Sequence, residues 1–248
     1  MGKKLPFSPQ YTEWHLKQAK QAGLDAICIT EHYNGTQMEE TFQYVQGHED
    51  GDSFILQDGL RVFLGLEIDA QEGGHFSVIG ALPDIKNIYA HLEPFIQKSI
   101  HPKFDEIVSI VKQYPVLFGA SHPFRETNKA TYLQSSQLSM FDYIELNGKD
   151  HALDEHNGHK VAKLAQSVGL PIIAGSDTHQ AHQFGCIMTE FHETHTTIQS
   201  LRHAIKKDAY TIRHGQHAKK QVETAKLIKS ALKEINKLGG DYVSVMLK

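Results

Sequence analysis

The sequence lacks several features that mark particular classes of protein. Its 248 residues include only two cysteines, Cys28 and Cys186, which lie in apolar runs and are interpreted as buried thiols rather than as a disulfide framework or zinc ribbon. No apolar run approaches the roughly 18–20 residues that cross a bilayer, and residues 1–6 lack the apolar stretch of a signal peptide. These absences predict a cytoplasmic protein with no membrane partner.

The sequence also lacks a large excess of positive or negative charge. The chain has 25 Lys and Arg against 29 Asp and Glu, a formal charge of −4, without a basic block. Because nucleic-acid binding depends on clustered cations, this balance argues against an extended nucleic-acid surface. It leaves open a small phosphorylated substrate held by a few local cations. Histidine, in contrast, is abundant, with 17 residues, and histidine is the commonest metal ligand.

Apolar strand patterns alternate with helical patterns along the chain. Strands are predicted at 26–30, 60–68, 75–80, 116–118, 143–146, 172–174 and 210–212. Helices are predicted at 9–22, 36–46, 88–100, 104–114, 154–168 and 198–205. This alternation predicts a mainly parallel sheet covered on both faces. A closed α/β barrel is favoured, and an open doubly wound sheet is the alternative, although no Gly-rich phosphate loop follows any strand.

The chain shows no repeat or linker that would divide residues 1–215, which are predicted to form one barrel domain. Residues 216–248 are predicted to add an amphipathic helix, over about 216–238, and a short strand over 241–247, both packed on the barrel.

Potential metal ligands stand at successive strand ends, where barrel enzymes place their reactive groups. These residues are His32, Glu67, His75, His122, Asp177 and His179. Imidazole nitrogens and carboxylate oxygens bind zinc, manganese or iron, so the set predicts a site for one to three divalent ions. Glu67 is the candidate bridge between two ions, because a carboxylate inside an apolar strand is costly unless it is paired or ligated.

Each of these residues also has an ordinary structural explanation. His32 could cap the following helix, His75 could simply begin a strand, and His122 before Pro123 could define a turn. Asp177 could form an Asx turn. Their joint arrangement at strand ends favours the metal site over these separate explanations.

Two further residues are candidates for contact with a substrate. Arg125 follows His122 by three positions, and its guanidinium could hold phosphate oxygens in a bidentate manner. The alternative is a salt bridge with Glu126 or another neighbour. His182, in the loop after His179, could protonate a leaving group. No catalytic residue is assigned beyond these.

Five segments of the sequence resemble the PHP (polymerase and histidinol phosphatase) superfamily of metal-dependent phosphoesterases. They are residues 23–32, 65–68, 75–80, 121–123 and 175–179, and they occur in the family's order. The resemblance spans about residues 8–215. It implies a distorted (β/α)7 TIM-like barrel with up to three metal ions, which hydrolyses phosphate esters with a metal-bound hydroxide.

The resemblance also implies a distribution of ligands. His32 and His179 would serve one ion, Glu67 would bridge two, His75 and His122 would serve a second, and Asp177 would belong to the remaining cluster. Family members open with a strand that carries a His-x-His motif, and this sequence has no such motif before His32. The departure leaves three alternatives: a sequence truncated at its N-terminus, a reduced metal site, or a barrel that has lost catalysis.

The predicted function is therefore a metal-dependent hydrolase of phosphate esters acting on a small phosphomonoester or nucleotide-type substrate. A degenerate, non-catalytic metal-binding or regulatory protein is the first alternative, and a metal-dependent amidohydrolase or barrel nuclease is the second. The gap left by a missing first strand would be covered by residues 241–247 or by contacts in an oligomer.

Overall fold

The computed structural model describes residues 7–127 and 129–247; the residues 1–6 considered above as a possible leader lie outside that part. Within it, the strands are β1 (Ala26–His32), β2 (Glu49–Asp50), β3 (Ser53–Ile55), β4 (Arg61–Asp69), β5 (His75–Gly80), β6 (Leu117–Ser121), β7 (Tyr143–Asn147), β8 (Ile172–Gly175), β9 (Ile187–Phe191) and β10 (Tyr210–His214).

The helices of the described chain are α1 (Pro9–Gln21), α2 (Met38–Val45), α3 (Leu82–Lys98), α4 (Phe104–Val111), α5 (Ser135–Leu138), α6 (Gly148–Leu153), α7 (Asn157–Val168), α8 (Ile198–Lys206), α9 (Ala218–Lys237) and α10 (Tyr242–Met246). Single 3₁₀ turns occupy Gln57–Gly59 and Ala181–Gln183.

Local sequence signals explain where the first helix begins. The Ser8 side-chain oxygen accepts a hydrogen bond from the Tyr11 backbone N–H at 3.3 Å, and Pro9 occupies the first helical position. A serine N-cap satisfies an otherwise unpaired N–H, and proline costs nothing at that position. The helix predicted over 9–22 is therefore confirmed.

The large sheet is mixed rather than mainly parallel. Strand β1 pairs with β4 in parallel, and β6, β7 and β8 are also parallel neighbours. Strand β5 runs antiparallel to both β4 and β6. It does so because a tight turn through Gly73 and Gly74 joins it directly to β4, and a parallel connection would need a crossover of a dozen or more residues. The β2–β3 hairpin, for which no strand was predicted, pairs with the start of β4.

Within the described residues, the sheet curls into a half-barrel that does not close along its hydrogen-bonded path. Strands β9 and β10 form a separate antiparallel pair, so the segment 210–212 is not the barrel strand that was predicted. Strand β9 still contacts the half-barrel, because Thr189 Oγ1 accepts a hydrogen bond from the Ala174 N–H at 3.0 Å. The prediction of an α/β fold is confirmed, whereas the number of β/α units remains a prediction.

The two faces of the sheet have different partners. On the outer face, Leu66, Phe76 and Val78 pack with residues of α3 and α4 in the main hydrophobic core. On the inner face, Phe63, Leu117 and Tyr143 form a second core with residues of α8. Because side chains alternate along a strand, Glu67 and Asp69 share the inner face with Phe63. Helix α8 therefore fills one end of the half-barrel, and the polar site lies at the other end.

The edge of the sheet explains the different exposure of the two cysteines. Strand β1 pairs with β4 alone among the described strands, and Cys28 on it is exposed. Cys186 is buried, as expected. The interpretation of Cys28 as a buried thiol was therefore wrong.

The C-terminal segment contains two helices. Helix α9 packs against α6 and against the turn Ala181–Gln183. The strand predicted over 241–247 is wrong, because Tyr242–Met246 is helical. The Asp241 carboxylate accepts hydrogen bonds from the N–H groups of Val243 and Ser244, which makes it a helix N-cap. None of the described helices is long and apolar enough to cross a membrane.

Candidate metal centre

The ends of adjacent strands bring five side chains together at the open end of the half-barrel. We call these residues the acid–histidine cluster: His32, Glu67, Asp69, His75 and His122. The strand register explains their meeting, since His32 lies opposite Glu67 in the parallel β1–β4 pair. Asp69 lies opposite His75 in the antiparallel β4–β5 pair. His75 in turn lies opposite Ser121, the residue before His122.

Glu67 is the centre of this cluster. Its carboxylate oxygens lie 3.4 Å from His32 Nε2, 2.9 Å from His75 Nδ1 and 3.1 Å from His122 Nε2. Three imidazole rings from three different strand ends therefore point one nitrogen each at a single carboxylate.

Asp69 holds two of those rings from their other side. Its oxygens lie 3.1 Å from His32 Nδ1 and 2.8 Å from His75 Nε2. A carboxylate in that position fixes the orientation of a histidine whose remaining nitrogen is a ligand. Asp69 was not among the predicted ligands, although the spacing Glu67-Ile68-Asp69 within a strand already places both carboxylates on one face.

The cluster favours the charged forms of Glu67, Asp69 and His75. Burial opposes ionisation of Glu67, but hydrogen bonds from His122 and His75 outweigh it and hold the Glu67 pKa below its ordinary value. Burial also opposes the charge on His75, yet its hydrogen bonds to Asp69 and Glu67 raise the His75 pKa to about 9. The carboxylates of Glu67 and Asp69 are thus balanced by protonated imidazole, and a bound metal cation could take the place of those protons.

The donor set fits a divalent metal ion. Ligand atoms of His32, Glu67 and His75 all lie within 4.8 Å of one another. Two ligands of a tetrahedral zinc ion are about 3.4 Å apart if each bond is about 2.1 Å. His122, with a side chain that is 2% exposed, has a buried Nδ1 atom without a hydrogen-bond partner among the described residues. Its backbone φ of 30° is an uncommon conformation of the kind that accumulates at functional sites.

A second polar group lies beside this cluster. We call it the arginine group: Arg125, Asn147, Asp150, Asp177 and His179. Arg125 Nη2 donates to Asp177 Oδ2 at 2.7 Å and to Asn147 Oδ1 at 3.1 Å, and Arg125 Nε donates to Asp150 Oδ2 at 3.1 Å. Arg125 is therefore neither paired with Glu126 nor a surface residue, and Glu126 pairs with Lys129.

The turn after β8 shapes the arginine group. Asp177 has a φ of 51°, and its carbonyl oxygen accepts a hydrogen bond from Gln183 Nε2 at 3.0 Å. Its Oδ1 atom lies 3.3 Å from His179 Nδ1. Burial opposes the charge of Asp177, but His179 and Arg125 lower the Asp177 pKa. Asp177 is thus neutralised mainly by its own neighbours rather than by the acid–histidine cluster.

Glu145, which sequence analysis also missed, connects the two groups. Its Oε2 accepts hydrogen bonds from the His122 N–H at 2.8 Å and from Asn147 Nδ2 at 3.3 Å. Burial and the charge of Asp177 raise the Glu145 pKa to about 8. A side chain at Gly175 would collide with this carboxyl group. The sequence position of Glu145 could have identified it, because it lies in β7 two residues before Asn147 and therefore on the same inner face of the sheet.

The structure thus divides the eight candidate residues. His32, Glu67, His75 and His122 meet directly, whereas Asp177, His179 and Arg125 lie in the neighbouring group. His182 is exposed on the turn Ala181–Gln183, and its ring has no hydrogen bond or ion pair within the described residues.

Comparisons with known proteins support the fold. PsfC from Pseudomonas syringae PB-5123 is similar over 93% of this chain and 94% of its own, with a TM-score of 0.70 and 19% identity. The lesion-specific endonuclease PfuEndoQ from Pyrococcus furiosus matches over 82% of this chain and 52% of its own, with a TM-score of 0.58 and 18% identity. Endonuclease Q in complex with a 27-mer duplex carrying an abasic lesion at the active site matches over 78% of this chain and 51% of its own, with a TM-score of 0.57 and 18% identity.

This chain therefore spans about half the length of the two endonuclease chains. At such low identity these likenesses concern the fold alone. No curated protein matches the sequence significantly. Residues 155–210, which run from two residues before α7 to the first residue of β10, match the family model of the PHP-associated domain. The resemblance to the PHP superfamily that the sequence motifs indicated is confirmed on this segment.

Proposed function

We propose that this protein is a metal-dependent hydrolase of phosphate esters whose metal centre is the acid–histidine cluster. The observation that carries the proposal is the arrangement of His32, His75 and His122 around Glu67. Three imidazoles and a carboxylate are a donor set for zinc, manganese or iron. Such an ion, when bound, lowers the pKa of water from about 15.7 toward neutrality and neutralises phosphoryl oxygens.

The residues of the cluster have distinct proposed roles. Glu67, His32, His75 and His122 would hold the ion, and Asp69 would orient the rings of His32 and His75 through their second nitrogens. Asp177 and His179 would hold a second ion or a substrate at the edge of the same opening. Up to three ions remain part of the proposal.

Arg125 would contact the substrate through one nitrogen only. Its Nε and Nη2 atoms already donate to Asp150, Asn147 and Asp177, and within the described chain Nη1 has no such partner. Nη1 would therefore donate to a phosphate oxygen, and the bidentate contact expected from the sequence would be used on Asp150 instead. His182, exposed on the rim, would protonate the leaving group.

The proposed substrate is a small phosphomonoester or a nucleotide-type compound. A nuclease is the second candidate, because the endonuclease chains named above share this fold over 82% and 78% of the present chain. The two candidates differ in the bond that is cleaved, so substrates that carry only a monoester or only a diester separate them.

The test combines metal analysis with turnover. The purified chain is loaded separately with Zn²⁺, Mn²⁺ and Fe²⁺, the bound metal is counted, and hydrolysis of p-nitrophenyl phosphate, bis-p-nitrophenyl phosphate and an abasic duplex is measured. We expect at least one ion per chain and turnover of the monoester. Glu67→Gln should abolish both. The matched control is Glu31→Gln, since Glu31 neighbours His32 in β1 but its side chain has no hydrogen bond or ion pair in the described part of the chain.

Each other outcome would contradict the proposal in its own way. Turnover of the diester or the duplex without the monoester would favour the nuclease. Less than one ion per chain without any turnover would favour the non-catalytic alternative. Full activity in Glu67→Gln would show that the metal centre lies elsewhere.

A further inference from the structure

A cleft of about 200 Å³ opens between α6 and α9, beside the arginine group. His179 and Gln183 line its inner end, so the cleft is continuous with the turn that holds Asp177. It is smaller than the roughly 300–1,000 Å³ of pockets that take drug-sized ligands. Its size therefore suits one small polar group of a larger molecule.

Lysines dominate the walls of this cleft. Lys149 comes from α6, and Lys226, Lys229 and Lys233 come from α9. The three lysines of α9 are spaced at i, i+3 and i+7, which places them on one face of the helix. Like charges at such spacings destabilise a helix, so the arrangement is unfavourable unless an anion compensates it.

No carboxylate forms an ion pair with these lysines within the described part of the chain, although the charge of Asp177 acts on Lys149 and Lys229. The ammonium groups of Lys149, Lys226, Lys229 and Lys233 have no ion pair there, in contrast to four other lysines on the surface. Those four pairs are Lys20–Asp25, Lys129–Glu126, Lys160–Asp154 and Lys237–Glu234. Other described lysines, such as Lys86 and Lys163, also have no ion pair, and these four differ from them in lining a single cleft beside the arginine group.

The charges in the cleft interact with those of the arginine group. Burial lowers the pKa of Lys229, and the charges of Lys149, Lys233 and Arg125 lower it further, whereas the charge of Asp177 raises it. Lys229 is thus close enough to feel both the other cations of the cleft and the polar group beside the metal centre. An anion bound there would relieve the repulsion among four cations at once.

We propose that this lysine cleft binds a second phosphate group of the substrate, at a distance from the phosphate ester that is hydrolysed. The inference rests on the proposed function. It narrows the substrate to a small molecule with two phosphate groups, because lysine binds phosphate as a point charge and the cleft is one compact pocket. A chain with a formal charge of −4 is a poor match for an extended nucleic acid.

The first test measures binding and does not depend on turnover. Titration calorimetry with pyrophosphate is carried out on the full-length chain in the presence of a chelator, so that no metal binds the anion. We expect binding that weakens at least about tenfold in the double variant Lys229→Gln/Lys233→Gln and weakens with salt. The control Lys219→Gln/Lys220→Gln removes two exposed lysines from the same helix outside the cleft and should leave binding unchanged.

The second test uses the metal-loaded protein. The double variant should raise the KM for adenosine 3′,5′-bisphosphate at least about tenfold, with little change in KM for adenosine monophosphate. Glu67→Gln should bind pyrophosphate as well as the unchanged protein does. Pyrophosphate binding without any turnover would therefore contradict the proposed hydrolase while supporting the anion cleft.

Three results would overturn the inference. The first is equal affinity for pyrophosphate in the double variant and in the control variant. The second is that the unchanged protein does not bind pyrophosphate. The third is that the double variant raises the KM for the monophosphate and the KM for the bisphosphate equally. If the double variant instead lost affinity for a single-stranded oligonucleotide but not for pyrophosphate, the small-molecule substrate would be wrong.

Discussion

The acid–histidine cluster and the arginine group occupy neighbouring positions on the same rim, but they balance charge in different ways. In the first, Glu67 and Asp69 face three imidazoles, which carry positive charge only when protonated. In the second, Asp150 and Asp177 face Arg125, which is always charged. Protons can be exchanged for a metal ion, whereas a guanidinium cannot. We therefore propose that the first ion binds in the first region, and that a further ion or the substrate at Asp177 and His179 lies beside a fixed scaffold around Arg125.

The largest expected effect is on metal affinity. Replacing Glu67 by Gln removes the carboxylate that three rings share, so we expect metal binding to weaken by more than about 1,000-fold, beyond the roughly 10–100-fold typical of outer-shell changes. Competition with a fluorescent chelator measures this change. Glu31→Gln serves as the control, and a similar loss in both variants would break the comparison.

The second prediction concerns stability in the arginine group. Arg125→Met leaves Asp150 and Asp177 without their counter-charge in a site where these side chains are only 18% and 15% exposed. We expect the free energy of unfolding to fall by about 3 kcal/mol. Urea denaturation of the metal-free chain measures the change.

A matched control for this prediction is the exposed pair between Arg213 and Glu190. Arg213→Met should cost less than about 1 kcal/mol. Metal affinity should change by less than about tenfold in Arg125→Met, because Arg125 is not a proposed ligand of the ion. If Arg125→Met abolished metal binding, the two regions would be one metal centre.

Asp69→Asn probes the orienting role within the first region. The amide keeps the shape of the side chain but accepts fewer hydrogen bonds from His32 and His75. We expect metal affinity to fall by about 10–100-fold with an unchanged number of bound ions. Asp58→Asn, at an exposed turn position, is the control. Loss of an entire ion would mean that Asp69 is itself a ligand.

The smallest expected effect is a dependence of the free energy of unfolding on pH through His15, which is influenced by His179 of the arginine group. Burial, with a contribution from the charge of His179, lowers the pKa of His15 in α1 to about 4. Because this value lies below the ordinary 6.5, the unfolded chain binds the proton more tightly, and stability is lost as the pH falls below about 6.5.

Between pH 7 and pH 5 this effect should cost about 1–2 kcal/mol. His15→Leu should flatten that part of the stability profile in denaturant titrations, whereas His156→Leu, at an exposed position, should leave it unchanged. A profile that stays equally steep in His15→Leu would show that another group causes the loss of stability in acid.

Sequence patterns predicted local structure better than connectivity. The N-cap at Ser8 and the apolar run of β4 are visible in a few consecutive residues, and the corresponding elements form. The antiparallel direction of β5 and the separation of β10 from the large sheet depend on pairing between distant segments. The helix at Tyr242–Met246 was missed because a β-branched pattern outweighed the cap at Asp241.

The candidate site was predicted in part for the same reason. His32, Glu67, His75 and His122 stand at the ends or starts of strands, so their types and positions pointed to one rim. The sequence did not reveal that Asp69 would hold two of these rings or that Glu145 would link His122 to the arginine group. It also did not reveal that Arg125 would be bound by Asp150, 25 residues away.

The amino-acid sequence by itself determined which chemical groups are available and which face of each strand they occupy, because side chains alternate at every residue. Only the tertiary structure decided which of those groups touch. Strand register and the left-handed turn at Asp177 set distances between residues far apart in the chain, and ligand geometry depends on such distances. Three imidazoles therefore surround Glu67, while Asp177 pairs with Arg125.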